Sequence, residues 1–564
     1  MGKALSKKKI VYIAFIVIAI FSMVVSNISY DAEYQLAMAY RMIKGDALVT
    51  QMWEPHQTSA FLNAVFMKIY VTCFGTTTGI VLYMQVIGLL IRVGISGLLY
   101  RVIHKVSGEI PAFAAAVIYI LISPKELLLP EFGNLQLWFT TLMLLALWEY
   151  FDKGKKFFLI LSAVSLCMGV LSYPSVIIVY VGAILILKMY SKRFASDALC
   201  FTCICSVIGL VFIGVLLWNT DISTIIRCLQ CALAVEPSHT VSFADKTFAH
   251  ILNICKVLGM LAGVSLLGFV VSLAIGLKDK KASTSERWIT CSWYVLMAFL
   301  VVNILSVSNR GGYSLPFLVI LAIGFWQRNR LSEMEKRIYY PSLCVSGLSL
   351  LATLVLSDNA FIQAITYMLI AICASVMPIY HWIQEAHCDY KVRKWMLGGV
   401  HLFFAIIVFR CVFIHIPLHE RDQIISIADD LSIVRSGPAI GIIAEEDGVA
   451  RQRDSMEEWK QYIQTGDSIW IMGHPVDTLG YLYEDVEVGA PTVMSTPTYT
   501  EDLLYYYELN PEKYPDVIVV ASSFGETAWE LQSNDWLMNW LESEYQPDEV
   551  VDGNYWKYYV KRRD

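Results

Sequence analysis

Charge is what this chain has least of. Only 16% of its 564 residues are Asp, Glu, Lys or Arg, where a soluble protein carries about 25%. The deficit excludes an ordinary soluble enzyme, and the Lys and Arg that remain form no basic face of the kind that binds nucleic acid. Cysteine is missing from the polar C-terminal part. All thirteen lie before residue 412, so no disulfide framework holds that part. Cys228 and Cys231 form one CxxC with no second pair, and read as small buried apolar residues rather than as a zinc or redox site. A Gly-rich phosphate loop is also missing: the turn at Gly473-His474-Pro475 lacks the glycines that let a backbone wrap a phosphate. No cleavage site follows the basic, apolar start, so MGKALSKKKIVYIAFIVIAIFSMVV reads as a first membrane span that stays in place.

What the chain has instead is apolar length. It is 56% hydrophobic, and runs near 20 residues recur along it, the length that crosses a bilayer as a helix. The pattern predicts a polytopic α-helical membrane protein of about thirteen transmembrane helices, at 10–28, 79–101, 110–123, 134–150, 157–172, 174–190, 199–218, 249–277, 288–307, 312–327, 338–356, 360–381 and 395–416. Lys and Arg fall in alternate connections: Lys7–Lys9, Arg101 with Lys105, Lys153 to Lys156, Lys188 to Arg193, Lys278 to Lys281, Arg328 to Arg337, and Lys391 to Lys394. The positive-inside rule puts these in the cytoplasm. An odd span number then puts the C-terminal part outside, on the side of the 29–78 loop.

The transmembrane domain is taken as 1–416 and the extracytoplasmic domain as 417–564. In the latter, HERDQIISIADDLSIVRSG reads as an amphipathic helix. The apolar runs 439–444, 468–473 and 516–522 read as strands, with helical patterns at 455–464, 500–509 and 526–543 and a strand-like close, NYWKYYVKRR. Strands alternating with helices predict a small α/β domain.

The stretch 29–46, SYDAEYQLAMAYRMIKGD, follows the first span. It predicts a short amphipathic helix that opens on Asp31 and Glu33 and stops at Gly45. Carboxylates suit the first turn of a helix as caps and dipole partners, and capping leaves room for catalysis. The segment 58–75 predicts a second helix, lying in or dipping into the membrane interface. Arg92 sits inside a span, where a charge is costly and points to function or to a buried ion pair. Arg310 is at the outer end of another, with a planar fork suited to a phosphate. Lys125 and Glu131 flank an outer loop and read as solvated charges. Glu54 and His56, in the WEPHQ turn, form a carboxylate–imidazole pair of the type that binds a divalent metal ion. His239 and His250 lie in or beside the 219–248 loop.

With these residues in hand, the chain resembles the GT-C superfamily of membrane glycosyltransferases, in the bacterial branch similar to protein O-mannosyltransferases and lipid A aminoarabinose transferases. DAEYQLAMAYRMIKG resembles the family's motif after the first span, with Asp31 on the catalytic Asp. The family's Glu falls on Ala32, and Glu33 is displaced by one. EPHQTSAFLNAVFMKIYVTCFG and the Arg310, Tyr313, Pro316 spacing resemble two further family motifs. The resemblance covers residues 1 to about 330 in layout and motif, and architecture alone beyond. It implies transfer of a sugar from a polyprenyl-phosphate donor, outside the cell, to a glycan, lipid or protein acceptor by inverting displacement. Asp31 would be the base, and Glu33 would position the acceptor or a metal. Arg310, Arg92 and Tyr313 would bind the donor phosphate. A flippase for a lipid-linked sugar and a non-catalytic membrane scaffold are the readings from other classes. The first should show internal repeats or paired broken helices, which the sequence lacks.

Overall fold

The computed structural model describes residues 7–25, 30–124, 128–235 except 219, 243–276, 314–356, 364–385, 398, 405, and 431–562 apart from 474–477, 484, 495–498 and 522–528. The N-terminal part is a helical bundle: α1 (Lys7–Val25), α2 (Tyr30–Lys44), α3 (Phe61–Phe74), α4 (Ile80–Ser107), α5 (Glu109–Leu121), α6 (Phe132–Lys153), α7 (Lys156–Ser172), α8 (Val179–Tyr190), α9 (Phe194–Leu216), α10 (Ile222–Val235), α11 (Phe243–Gly276), α12 (Ser314–Trp326), α13 (Glu333–Leu356) and α14 (Leu369–Glu385). Among the described residues five helices are long and apolar enough to cross a membrane: Ile80–Ser107, Phe194–Leu216, Ala244–Val271, Glu333–Val355 and Ile365–Gln384. The spans expected at 288–307 and 395–416 lie outside the described residues.

α6 is the inner helix of the bundle. It buries Asn134, Gln136, Thr140 and Thr141 along with its apolar residues, and each polar group has a partner, as a buried polar group must. Gln136, for example, donates to Ser349 O at 3.0 Å and to Thr353 Oγ1 at 3.0 Å on α13. α4 and the 128–129 segment meet at Gly88, where a Cβ would stand 1.9 Å from Leu128 O. Any side chain there would push that segment off the helix.

The bundle has two chemically different ends. Lys105 at the end of α4 pairs with Asp152 at the end of α6, and Ser107 and His381 both bond Glu335 at the start of α13. The basic connections after α4, α6, α8 and α12 therefore gather at one end. α2, α3 and the C-terminal domain occupy the other.

The C-terminal domain carries β1 (Leu431–Ile433), β2 (Ile443–Glu445), α15 (Glu446–Tyr462), β3 (Ser468–Met472), α16 (Gly480–Tyr483), β4 (Glu487–Val488), α17 (Asp502–Leu509), β5 (Val517–Ala521), β6 (Glu549–Asp552) and β7 (Trp556–Val560). Its sheet runs β4-β3-β5-β7-β6, with β3 parallel to β4 and β5, and β7 antiparallel to β5 and β6. β3 and β5 are buried along their whole length, which is why they read as unbroken apolar runs. The amphipathic helix expected over HERDQIISIADDLSIVRSG is corrected in its described part. Leu431–Ile433 is a strand, paired antiparallel with Ile443–Glu445, and the chain then turns through Ser436-Gly437-Pro438, a sequence that cannot continue a helix.

Candidate active site

α2 begins at Tyr30, so Asp31 and Glu33 both lie in its first turn. At 3.6 residues per turn, side chains two positions apart point about 200° from each other. The two carboxylates therefore serve different neighbours.

Asp31 is half-buried and faces the bundle. Its charge acts on the Tyr367 hydroxyl, as do Glu131 and Tyr173. Tyr367 reaches this position because Gly133 has no side chain: a Cβ there would stand 2.4 Å from the Tyr367 hydroxyl. Glu131, expected as a solvated charge, is instead fully buried. It caps α6, accepting the Gly133 N–H at 2.7 Å and the Asn134 N–H. The N-terminus of α6 favours a carboxylate through its unpaired N–H groups and its dipole. Asn134 connects this group to Arg92, whose Nη1 donates to Asn134 Oδ1 at 3.2 Å. The Arg92 Nε donates to Tyr119 O at 2.8 Å and Ile120 O at 3.1 Å, the open carbonyls at the end of α5. Asn134 thus joins Arg92 to Glu131 at the α6 N-terminus, beside the Tyr367 hydroxyl at which the charge of Asp31 is felt.

Glu33 is 1% exposed, on the opposite side of α2 from Asp31. Burial and, after it, the Glu33 carboxylate push the Tyr483 hydroxyl well above the usual range. Around it α2 is clasped by the C-terminal domain. Tyr40 donates to Asp485 at 2.6 Å and Lys44 pairs with the same carboxylate at 2.8 Å. Arg41 is fully buried. It pairs with Asp46 at 2.7 Å and Glu54 at 3.3 Å and donates to Pro491 O at 3.1 Å. Lys513 pairs with the other Asp46 oxygen at 2.6 Å. Partners 441 to 467 places away thus complete the burial of α2 and its following turn, without a local sequence signal.

Glu54 and His56 do not converge on a metal. Glu54 Oε1 accepts from the Val493 N–H at 2.7 Å and from Arg41, and Oε2 accepts from Thr492 Oγ1 at 2.6 Å. Burial pushes its carboxyl up, against Arg41, Thr492, Val493 and Tyr34, which favour its charge. The His56 ring stacks against Phe132 at 4.4 Å and Tyr173 at 5.2 Å, beside the Asp31 group. A carboxylate committed to four donors and an imidazole turned to aromatic faces do not make a divalent site, and among the described residues no three His, Cys, Asp or Glu gather as ligands. Arg310, Tyr313, Lys125 and His239 lie outside the described residues. His250 bonds Leu354 O at 3.2 Å on α13.

No family model matches the sequence, and no curated protein sequence matches it. Among solved structures the chain is similar to the archaeal oligosaccharyltransferase AglB of Archaeoglobus fulgidus. The structure of that enzyme with an inhibitory peptide and a dolichol-phosphate has 11% identity and a TM-score of 0.40, over 91% of this chain and 69% of that one. The form with a tethered acceptor peptide has 10% identity and a TM-score of 0.44, over 91% and 69%. The form with Zn and sulfate has 10% identity and a TM-score of 0.45, over 90% and 67%.

Proposed function

We propose that this chain is a membrane glycosyltransferase that moves a sugar from a polyprenyl-phosphate donor to an acceptor outside the cytoplasm. The observation that supports this reading is the placement of Asp31: a half-buried carboxylate at the end of the bundle opposite the basic connections, in the first turn of a helix covered by the C-terminal domain. In this reading the basic end faces the cytoplasm and the domain faces out. A sugar nucleotide is not at hand there, so the donor comes through the membrane. The lipid chain lies against the apolar helices.

Asp31 takes the proton of the acceptor hydroxyl or amine as that atom bonds to the sugar's anomeric carbon. The bond from that carbon to the phosphate oxygen breaks, inversion follows from attack on the opposite face, and polyprenyl phosphate leaves with the charge. Arg310, with Tyr313 three residues on, is assigned to that phosphate as the charge builds. Arg92 acts one step back, as a positioning residue that holds Asn134 and, through it, the α6 N-terminus and Glu131. Glu33 holds the domain side of α2 rather than the reacting atoms.

The test is a transfer assay on the purified chain in lipid, with radiolabelled polyprenyl-phosphate sugars and host membrane extract as acceptor, comparing wild type with Asp31→Asn. The substitution keeps the size of the side chain and its fit in the first turn. Loss of transfer by about 10²–10⁴-fold, the usual contribution of a general base, is the expected result. Equal transfer by the two proteins would remove Asp31 from the mechanism.

A further inference from the structure

The C-terminal domain holds a cavity of about 230 Å³ between the segment that starts at β1 and one face of α15. Glu446, Val449, Arg453 and Met456 line it from the helix. Their spacing of three, four and three residues puts them on a single stripe. Arg435 lines the opposite wall, and Tyr483 closes the back. The Tyr483 ring lies directly on backbone: Gly437 has φ +72°, and a Cβ there would stand 2.0 Å from Tyr483 Cε1. Tyr483 is also the side chain that feels the charge of Glu33. Tyr483 thus lines the cavity from α16, a helix that itself packs against α2.

Size and chemistry narrow the ligand. A cavity of about 230 Å³ admits a ring-sized group. Val449, Met456 and the Tyr483 ring give an apolar surface, which suits the C–H face of a sugar. Arg435 and Arg453 supply N–H donors and Glu446 supplies acceptor oxygens, as a set of ring hydroxyls requires. The walls carry both signs, and Arg453 also pairs with Asp454 at 2.8 Å, so the field on a small anion is weakened. Tyr483 stays protonated, because burial and the nearby Glu33 both oppose its ionisation.

We propose that this cavity binds one neutral sugar unit of a glycan acceptor and so holds that acceptor beside α2. This rests on the glycosyltransferase reading and names the acceptor class within it.

The experiment is saturation-transfer NMR on the full chain in phosphatidylcholine nanodiscs. The probes are the methyl glycosides of glucose, galactose, mannose and N-acetylglucosamine, with inorganic phosphate as competitor. Wild type is compared with Val449→Trp, which fills the cavity, and with Arg453→Ala, which leaves its shape open and serves if the larger change misfolds. At least one glycoside is expected to give a signal that falls about tenfold in each variant and that phosphate does not displace. Absence of any glycoside signal, a signal indifferent to both variants, or displacement by phosphate would overturn the proposal. The two readings fail separately. Val449-dependent sugar binding without transfer from any donor leaves the cavity assignment standing and sinks the glycosyltransferase. Asp31-dependent transfer to glycan that is undiminished in both variants does the reverse.

Discussion

At the scale of single residues, Arg41 carries the most. Its guanidinium is fully buried and is shared by Asp46, Glu54, Pro491 O and the Tyr506 hydroxyl. Removing one member of a buried ionic group leaves the others desolvated and short of partners, at a cost of about 3–5 kcal/mol. Arg41→Ala should lower the unfolding temperature sharply. Arg41→Lys, which keeps the charge but loses the planar fork, should fall between. Thermal unfolding of the three proteins in nanodiscs decides it, and matched curves would show that the clasp contributes nothing. Glu54 gives a prediction of opposite character. Its folded pKa lies above its ordinary value, because burial outweighs Arg41 and the other donors. A carboxyl raised in this way binds its proton more tightly folded than unfolded. Its contribution to stability is therefore present below the unfolded pKa and is lost as pH rises through the folded one. Glu54→Gln should be milder than Arg41→Ala and should flatten the pH dependence of the unfolding temperature between acid and neutral pH. A variant curve parallel to wild type would count against it.

At the scale of the element, α2 separates two jobs that the D-x-E spacing of the sequence joins. The charge of Asp31 is felt at Tyr367 in the bundle and that of Glu33 at Tyr483 in the C-terminal domain. Asp31→Asn should therefore reduce turnover with little effect on unfolding temperature, whereas Glu33→Gln should shift the unfolding temperature and the docking of the domain more than turnover. A matched loss of turnover from both, with unchanged stability, would restore the paired-carboxylate idea. The helix itself was legible: the expected opening at the carboxylates and stop at Gly45 match Tyr30–Lys44, and Gly45 has φ 106°. Its two faces were not legible, because the partners that define them lie hundreds of residues away. The same logic runs through the rest of the fold. β3 and β5 announce themselves by continuous apolar runs. β6, with the sequence EVVD and mostly exposed, is held by pairing with β7 and leaves no burial pattern. α10 lies where only a loop was expected. Its start is marked by Asp221, whose Oδ1 accepts from the Ser223 and Thr224 N–H groups at 2.8 and 3.0 Å, a cap that the letters D-I-S-T do record. Glu131 was misread because a buried cap and a solvated loop charge look alike until the helix behind them is placed.

At the scale of the whole molecule, the question is which end meets the cytoplasm, and the proposed chemistry depends on it. Among the described residues, the basic connections after α4, α6 and α12 gather at one end of the bundle through Lys105–Asp152 and the Ser107–Glu335–His381 group. Helix alternation, not local charge, carries Asp31 and the C-terminal domain to the other end. If cationic connections resist translocation, that other end is outside, where a lipid-linked donor is needed. Single cysteines test this directly in a chain whose native cysteines are replaced by serine. Lys155→Cys marks the exposed connection between α6 and α7, and Asp535→Cys marks an exposed position of the C-terminal domain. A membrane-impermeant maleimide added to intact cells should label position 535 at once and position 155 only after permeabilisation. The reverse pattern would place Asp31 on the cytoplasmic side, where soluble sugar nucleotides are at hand. The argument for a polyprenyl-phosphate donor would then lose its physical basis even if transfer itself were observed.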